Sequence, residues 1–271
     1  MIISTMQNER PRARDLADWA LARGRGPFTS DDIAGILDVP REQVSRRLHP
    51  RVKKSEWVSP VQGLWVPVPA HYRLWGAPPG IEIVDGMMHH LEVEYYVGWL
   101  SAAALHGASH QAVQQFQVAT DRPVRDRQVG RTRFSFHTRR SMPEGAARQH
   151  NTPTGRAWVS TVATTALDIA TDPSIAAGID NAATVLIELS EHPDFEAGAI
   201  ASAAAHYPVA SIRRLGWILE TFSEAPAQDA LHAISASGPS RPSRLNPSLA
   251  ITSRVNARWN LSLNDDVEPD I

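Results

Sequence analysis

Two histidines four residues apart, His106 and His110, have the spacing at which a helix presents a pair of metal ligands. Gly107 interrupts that helix and no nearby acid completes a ligand set, so one reads as a buried capping histidine and the other as a surface histidine. His89 and His90 would point to opposite sides of any regular element and are assigned no role. Glu92 and Glu94, two apart, would share a strand face and could hold a metal, yet paired acids ahead of an apolar helix read better as exposed edge residues. The nuclease pattern of an acid followed by Glu-x-Lys needs a lysine in the second half of the chain. The only lysines are Lys53 and Lys54. Neither GxxxxGK nor GxSxG occurs, which removes the common phosphate cradle and the nucleophile elbow. The absence of cysteine removes disulfides, thiol nucleophiles and cysteine-held metals. No catalytic residue, metal or cofactor is therefore assigned, and the chain is expected not to be an enzyme.

Arginine is what remains. The formal charge of the 271 residues is only −2, so any basic surface must be local. One such stretch is "REQVSRRLHPRVKK", residues 41 to 54. A second is "DRPVRDRQVGRTRFSFHTRR", which gathers Arg122, Arg125, Arg127, Arg131, Arg133, Arg139 and Arg140. The second could be a solvated hairpin surface or a further face for nucleic acid or an acidic partner.

The elements around the first stretch decide its reading. "RARDLADWALARG" places Leu16, Trp19 and Ala20 on one helical stripe and stops at Gly24. In "FTSDDIAGILDVP", Thr29 or Ser30 can cap a second helix, Asp31 and Asp32 suit its positive end, and Ile33, Ile36 and Leu37 form its buried side. Pro40 suits the first turn of a third helix, in which Val44, Leu48 and Val52 recur every four residues and must face inward. Glu42, Gln43, Ser45, Arg46 and His49 then point away from the core. "EWVSPVQGLWVPVP" follows as a hairpin. Three helices and a hairpin in this order predict a winged helix-turn-helix whose third helix enters the major groove of double-stranded DNA. Arg41, Glu42, Gln43, Ser45, Arg46, Arg47, His49, Lys53, Lys54 and, on the wing, Gln62 are the expected DNA-binding residues.

Residues 70 to 90, with Pro-Pro and several glycines, read as a joint. The expected division is a DNA-binding domain at 1–75 and a larger mixed α/β domain at 85–271, an α+β architecture in total. The N-terminus lacks a sustained apolar run and no stretch has the length of a membrane span, so a cytoplasmic location and no membrane partner are expected.

Within the second part, "YYVGWLSAAALHGASHQ", "VSTVATTALDIA", "SIRRLGWILE" and the closing "RWNLSLND" resemble, in this order, the AbiEi-type antitoxins of type IV toxin-antitoxin systems. The resemblance implies a regulator whose N-terminal domain binds inverted repeats in its own promoter and represses the operon. It also implies a C-terminal antitoxin domain that neutralises a nucleotidyltransferase-like toxin, often without a stable complex. The alternative is a winged-helix regulator that senses a ligand through its second domain and has no toxin partner.

Overall fold

The computed structural model describes residues 10–108, 115–225 and 227–270. The N-terminal part runs α1 (Leu16–Leu21), β1 (Phe28–Thr29), α2 (Ser30–Leu37), α3 (Glu42–Val52), β2 (Trp57–Val58) and β3 (Leu64–Pro67), with the strands in antiparallel order β1-β3-β2. Leu16, Ala20, Phe28, Ile33, Val44, Leu48 and Trp57 fill its core, the side that the periodicity of the three helices predicts. Thr29 caps α2 reciprocally: its hydroxyl accepts from the Asp32 amide at 3.1 Å, and the Asp32 carboxylate accepts from the Thr29 amide at 2.8 Å.

The segment expected to be a joint holds a 3-10 helix at Ala70–Trp75 and then α4 (Gly80–His90). Pro79 pre-sets the start of α4, and Ile83, Val84, Met87 and Met88 form a fully buried stripe. Gly80 and Gly86 hid that stripe in the sequence by diluting its apolar character. These side chains share one core with Leu64 and Val66 of β3 and with Val97, Val118, Phe134 and Val159 beyond. A buried helix thus replaces the expected linker, and it packs on both parts of the chain.

A six-stranded sheet follows, made of β4 (Tyr95–Val97), β5 (Gln115–Thr120), β6 (Arg127–Val129), β7 (Thr132–Thr138), β8 (Ala147–Thr152) and β9 (Gly155–Ser160). Its order is β6-β7-β5-β4-β9-β8, with β5–β7 and β4–β9 parallel and the other pairs antiparallel. Alternation along the strands assigns the two faces: Val97 and Val118 pack toward α4, whereas Tyr96 and Ala119 join the helical core on the other side. That core is built by α5 (Trp99–Leu105), α6 (Val162–Thr171), α7 (Ile179–Ser190), α8 (Ala197–Ala204), α9 (Val209–Phe222) and α10 (Gln228–Ala236).

A small sheet of β10 (Ser243–Arg244), β11 (Val255–Asn256) and β12 (Leu261–Ser262) closes the chain. Two buried arginines of α9 hold the Pro/Ser-rich stretch leading to it. Arg213 donates to the carbonyl oxygens of Pro239 (2.7 Å) and Arg241 (3.1 Å), and Arg214 to those of Arg244 (2.8 Å), Leu245 and Ala170. A guanidinium satisfies several carbonyls that this strand-poor backbone leaves without amide partners. Gly216 completes the fit, because a Cβ there would lie 2.1 Å from the buried ring of Trp259.

Candidate functional site

Helix α3 carries most of the expected DNA-binding residues, and they share its outer side. Val44 and Leu48 are fully buried, whereas Arg41, Glu42, Ser45, Arg46, Arg47 and His49 are exposed. Arg41 pairs with Asp31 at 3.2 Å and Arg47 donates to Gln43 at 3.1 Å. Both contacts are solvent-exposed and weak enough to be exchanged for phosphate oxygens. Lys53 and Lys54 follow at the exposed end of the helix. Arg51, by contrast, turns back to Glu56 at 3.4 Å and belongs to the fold.

The hairpin turn behaves differently from α3. The Gln62 carbonyl accepts a hydrogen bond from His90 Nε2 at 3.0 Å, and the Pro60 carbonyl accepts from Arg127 at 3.4 Å. The turn is therefore held against α4 and β6, while Ser59 and Gln62 remain exposed. His90, given no role in the sequence, fixes the orientation of this turn. Nothing in the local sequence signals a contact between residues 28 apart.

The second arginine group does not form one surface. Arg122 is engaged by Asp121 at 2.9 Å, and Arg127 stacks over Phe136 at 5.6 Å while reaching the hairpin turn. Arg125, Arg131, Arg133 and Arg140 are exposed. Arg139 leaves the group altogether. It enters a buried network in which its guanidinium meets the fully buried Asp168 at 2.5 Å and Asp172 at 3.7 Å. Tyr96 and Tyr207 donate their hydroxyls to the same Asp168 carboxylate at 2.9 and 2.7 Å. Burial pushes the Asp168 carboxyl up to about 6, with Arg139 and the two hydroxyls acting against that rise. Both tyrosines are pushed well above their ordinary value, first by burial and then by the adjacent carboxylate. The network ties β4, the residue after β7, α6 and the turn between α8 and α9 together, and it was not legible in the sequence because its members lie up to 111 residues apart (96 to 207).

The remaining sequence candidates separate in space. His106 caps α5, its Nε2 lying 2.8 Å from the Ser160 carbonyl, while His110 lies outside the described residues. Among the described residues no three His, Cys, Asp or Glu side chains are grouped to hold a metal. Glu92 and Glu94 are exposed beside β4. A cavity of about 320 Å³ opens where α5, α6, α8 and β8 meet, with His106, Arg148, His150 and Tyr207 on its walls.

The comparison with protein families bears on this second part. The family model described as the AbiEi antitoxin C-terminal domain matches residues 96–221. Residues 96–221 belong to the AbiEi antitoxin family. The AbiEi domain starts at Tyr96 and so contains the whole Tyr96–Arg139–Asp168–Tyr207 network, as well as Arg213, Arg214 and Gly216. The match supports an antitoxin role in a toxin-antitoxin pair. No curated protein sequence matches the chain. Among solved structures, the crystal structure of the RV2827C protein from Mycobacterium tuberculosis is similar, with a TM-score of 0.61 at 13% identity, covering 93% of this chain and 92% of that one. At that identity the similarity concerns the fold alone, and it extends through the N-terminal part as well as the AbiEi domain. No helix among the described residues is long and apolar enough to cross a membrane.

Proposed function

We propose that this chain is a DNA-binding antitoxin of a type IV toxin-antitoxin system. In this reading residues 1–75 act as a winged helix-turn-helix that represses the chain's own operon, and the AbiEi domain neutralises a nucleotidyltransferase-like toxin in the cytoplasm. The observation that carries the proposal is the pairing of an AbiEi domain with a preceding helix whose outer side chains are exposed. The element order of helix, strand, two helices and two strands, with the last strand in the middle of its sheet, supports the winged-helix reading.

Chemistry assigns the parts of α3. Arg46, Gln43 and Ser45 stand opposite the buried Val44 and Leu48 and are suited to base edges, arginine to guanine above all. Glu42 and His49 flank them, and Arg41, Arg47, Lys53 and Lys54 are suited to phosphates, which position the helix without reading sequence. With its turn held by His90 and Arg127, the wing contributes through the Gln62 side chain rather than through a mobile loop. A second copy on the other half of an inverted repeat would complete the operator.

One experiment tests both halves. The full chain is expressed beside the neighbouring nucleotidyltransferase-like gene and assayed for growth rescue, and the purified protein is footprinted on its own promoter. Rescue together with a protected inverted repeat is the expected result. Rescue without protection would leave an antitoxin that does not repress, and protection without rescue would leave a repressor with no toxin to neutralise.

A further inference from the structure

A second cavity, of about 640 Å³, is lined by residues of α4, α5, β5 and β7 and by none of the residues of α3. Its lining is mostly apolar, with Ile81, Leu105, Phe116 and Trp75 among its residues, Trp75 being 48% exposed. The wall formed by residues 75–77 is firmly placed. Gly130, at φ +57°, packs so closely beneath it that a Cβ would lie 2.5 Å from the Trp75 carbonyl and 2.7 Å from Ala77. Any side chain at 130 would push this wall away from the sheet.

Two cations also line the cavity. Arg131 and Arg133, two residues apart where β7 begins, both line the cavity and both are exposed. Neither has a hydrogen-bonding or acidic partner among the described residues. Most other arginines of the same segment are engaged: Arg122 by Asp121, Arg127 by Pro60 and Phe136, and Arg139 by Asp168.

We propose that this cavity binds a small organic carboxylate with a flat or branched apolar body. The volume lies inside the range of about 300–1,000 Å³ typical of small-molecule sites, and an apolar lining with few polar groups is their usual composition. Two unpaired guanidiniums on a largely apolar cavity select the head group, because a carboxylate accepts paired N–H bonds from arginine that a neutral amide cannot match. Trp75 supplies a flat surface for the body of the ligand.

The test uses the full chain and three probes, indole-3-propionate, 4-phenylbutyrate and octanoate, each beside its neutral amide. Binding is followed by Trp fluorescence and calorimetry. At least one carboxylate binds saturably at one site, about tenfold more tightly than its amide, and Arg131→Ala and Arg133→Ala each weaken it by about tenfold, the loss of one charge-assisted contact. Ala104→Trp, at an exposed position on the cavity wall, blocks the site without changing thermal stability. The proposal is overturned if acids and amides bind alike, if the arginine variants or Ala104→Trp bind as the parent does, or if no carboxylate saturates the protein at millimolar concentration.

Discussion

The arginines of α3 and those of the AbiEi domain are the same side chain put to opposite uses. On α3, Arg46 faces solvent with no protein partner among the described residues, and Arg41 and Arg47 make only exposed contacts. In the AbiEi domain, Arg139 neutralises a buried carboxylate, and Arg213 and Arg214 hold main-chain carbonyls. The difference lies in what surrounds the guanidinium. Against solvent it remains available to an anion; inside, it is the element that closes the fold. Substitution should therefore separate the regions cleanly, with binding lost in one and stability in the other.

The widest separation comes from cutting the chain. Residues 1–75 contain all of α3, so the fragment should retain a DNA affinity with the salt dependence of the whole protein. It also loses α4 and leaves Leu64 and Val66 bare, at about 1.5–3 kcal/mol for each side chain. Thermal unfolding of the fragment should begin well below that of the full chain, while footprinting at low temperature still finds the operator. A fragment as stable as the whole would mean that α4 adds nothing to the N-terminal core.

Next in size is Asp168→Ala. It strands Arg139, which is 16% exposed at its side chain, and two tyrosine hydroxyls, and breaking such a buried pair costs about 3–5 kcal/mol. DNA binding by the folded fraction should not change. The network also has a pH signature. Because burial raises the folded-state carboxyl to about 6, its contribution is fully present at acid pH below the unfolded carboxylate range and is lost as pH rises through about 6. Chemical denaturation across that window should show a downward slope in stability that Asp168→Asn flattens; an unchanged slope would assign it to other groups.

Arg46→Ala is the counterpart on α3. It removes no buried contact, so the melting temperature should hold, while specific operator binding weakens by about 1–3 kcal/mol if the side chain makes a bidentate base contact. Unchanged affinity and sequence preference would remove α3 as the reader. His90→Ala falls lower, at about 0.5–1.5 kcal/mol for one hydrogen bond to the Gln62 carbonyl, and should appear as a small loss of stability.

What could be read in advance follows the same division. The helices of the N-terminal part were legible because their stripes are local: Val44 and Leu48, four apart, declare the inward side of α3 and leave the outer side by difference. The α4 core was not, since Pro78, Pro79, Gly80 and Gly86 have linker composition although four buried apolar residues sit among them. Nor was the buried network. "VSTVATTALDIA" shows a capped helix but gives no sign that its aspartate meets Arg139, which sequence alone grouped with six other arginines as one basic feature. Charge runs are local facts, and ion pairs between distant strands and helices are not.

The smallest effect probes the boundary of the reading surface. Lys53 and Lys54 are exposed just past the end of α3, where Lys53 continues the helical backbone and both follow Arg51, which is committed to Glu56. A lysine in that position can neutralise one phosphate without reading a base, so each replacement should weaken binding to operator and random DNA alike. The loss should appear in the salt dependence: one phosphate contact removed lowers the slope of log K against log salt by about one. Lys53→Ala and Lys54→Ala, measured singly and together on operator and random duplexes at several salt concentrations, give the test. Slopes that fall by about one and about two would extend the binding surface to residue 54. Slopes that stay at the parent value would end it at His49 and make these two lysines, unlike Arg46, part of the solvated exterior only.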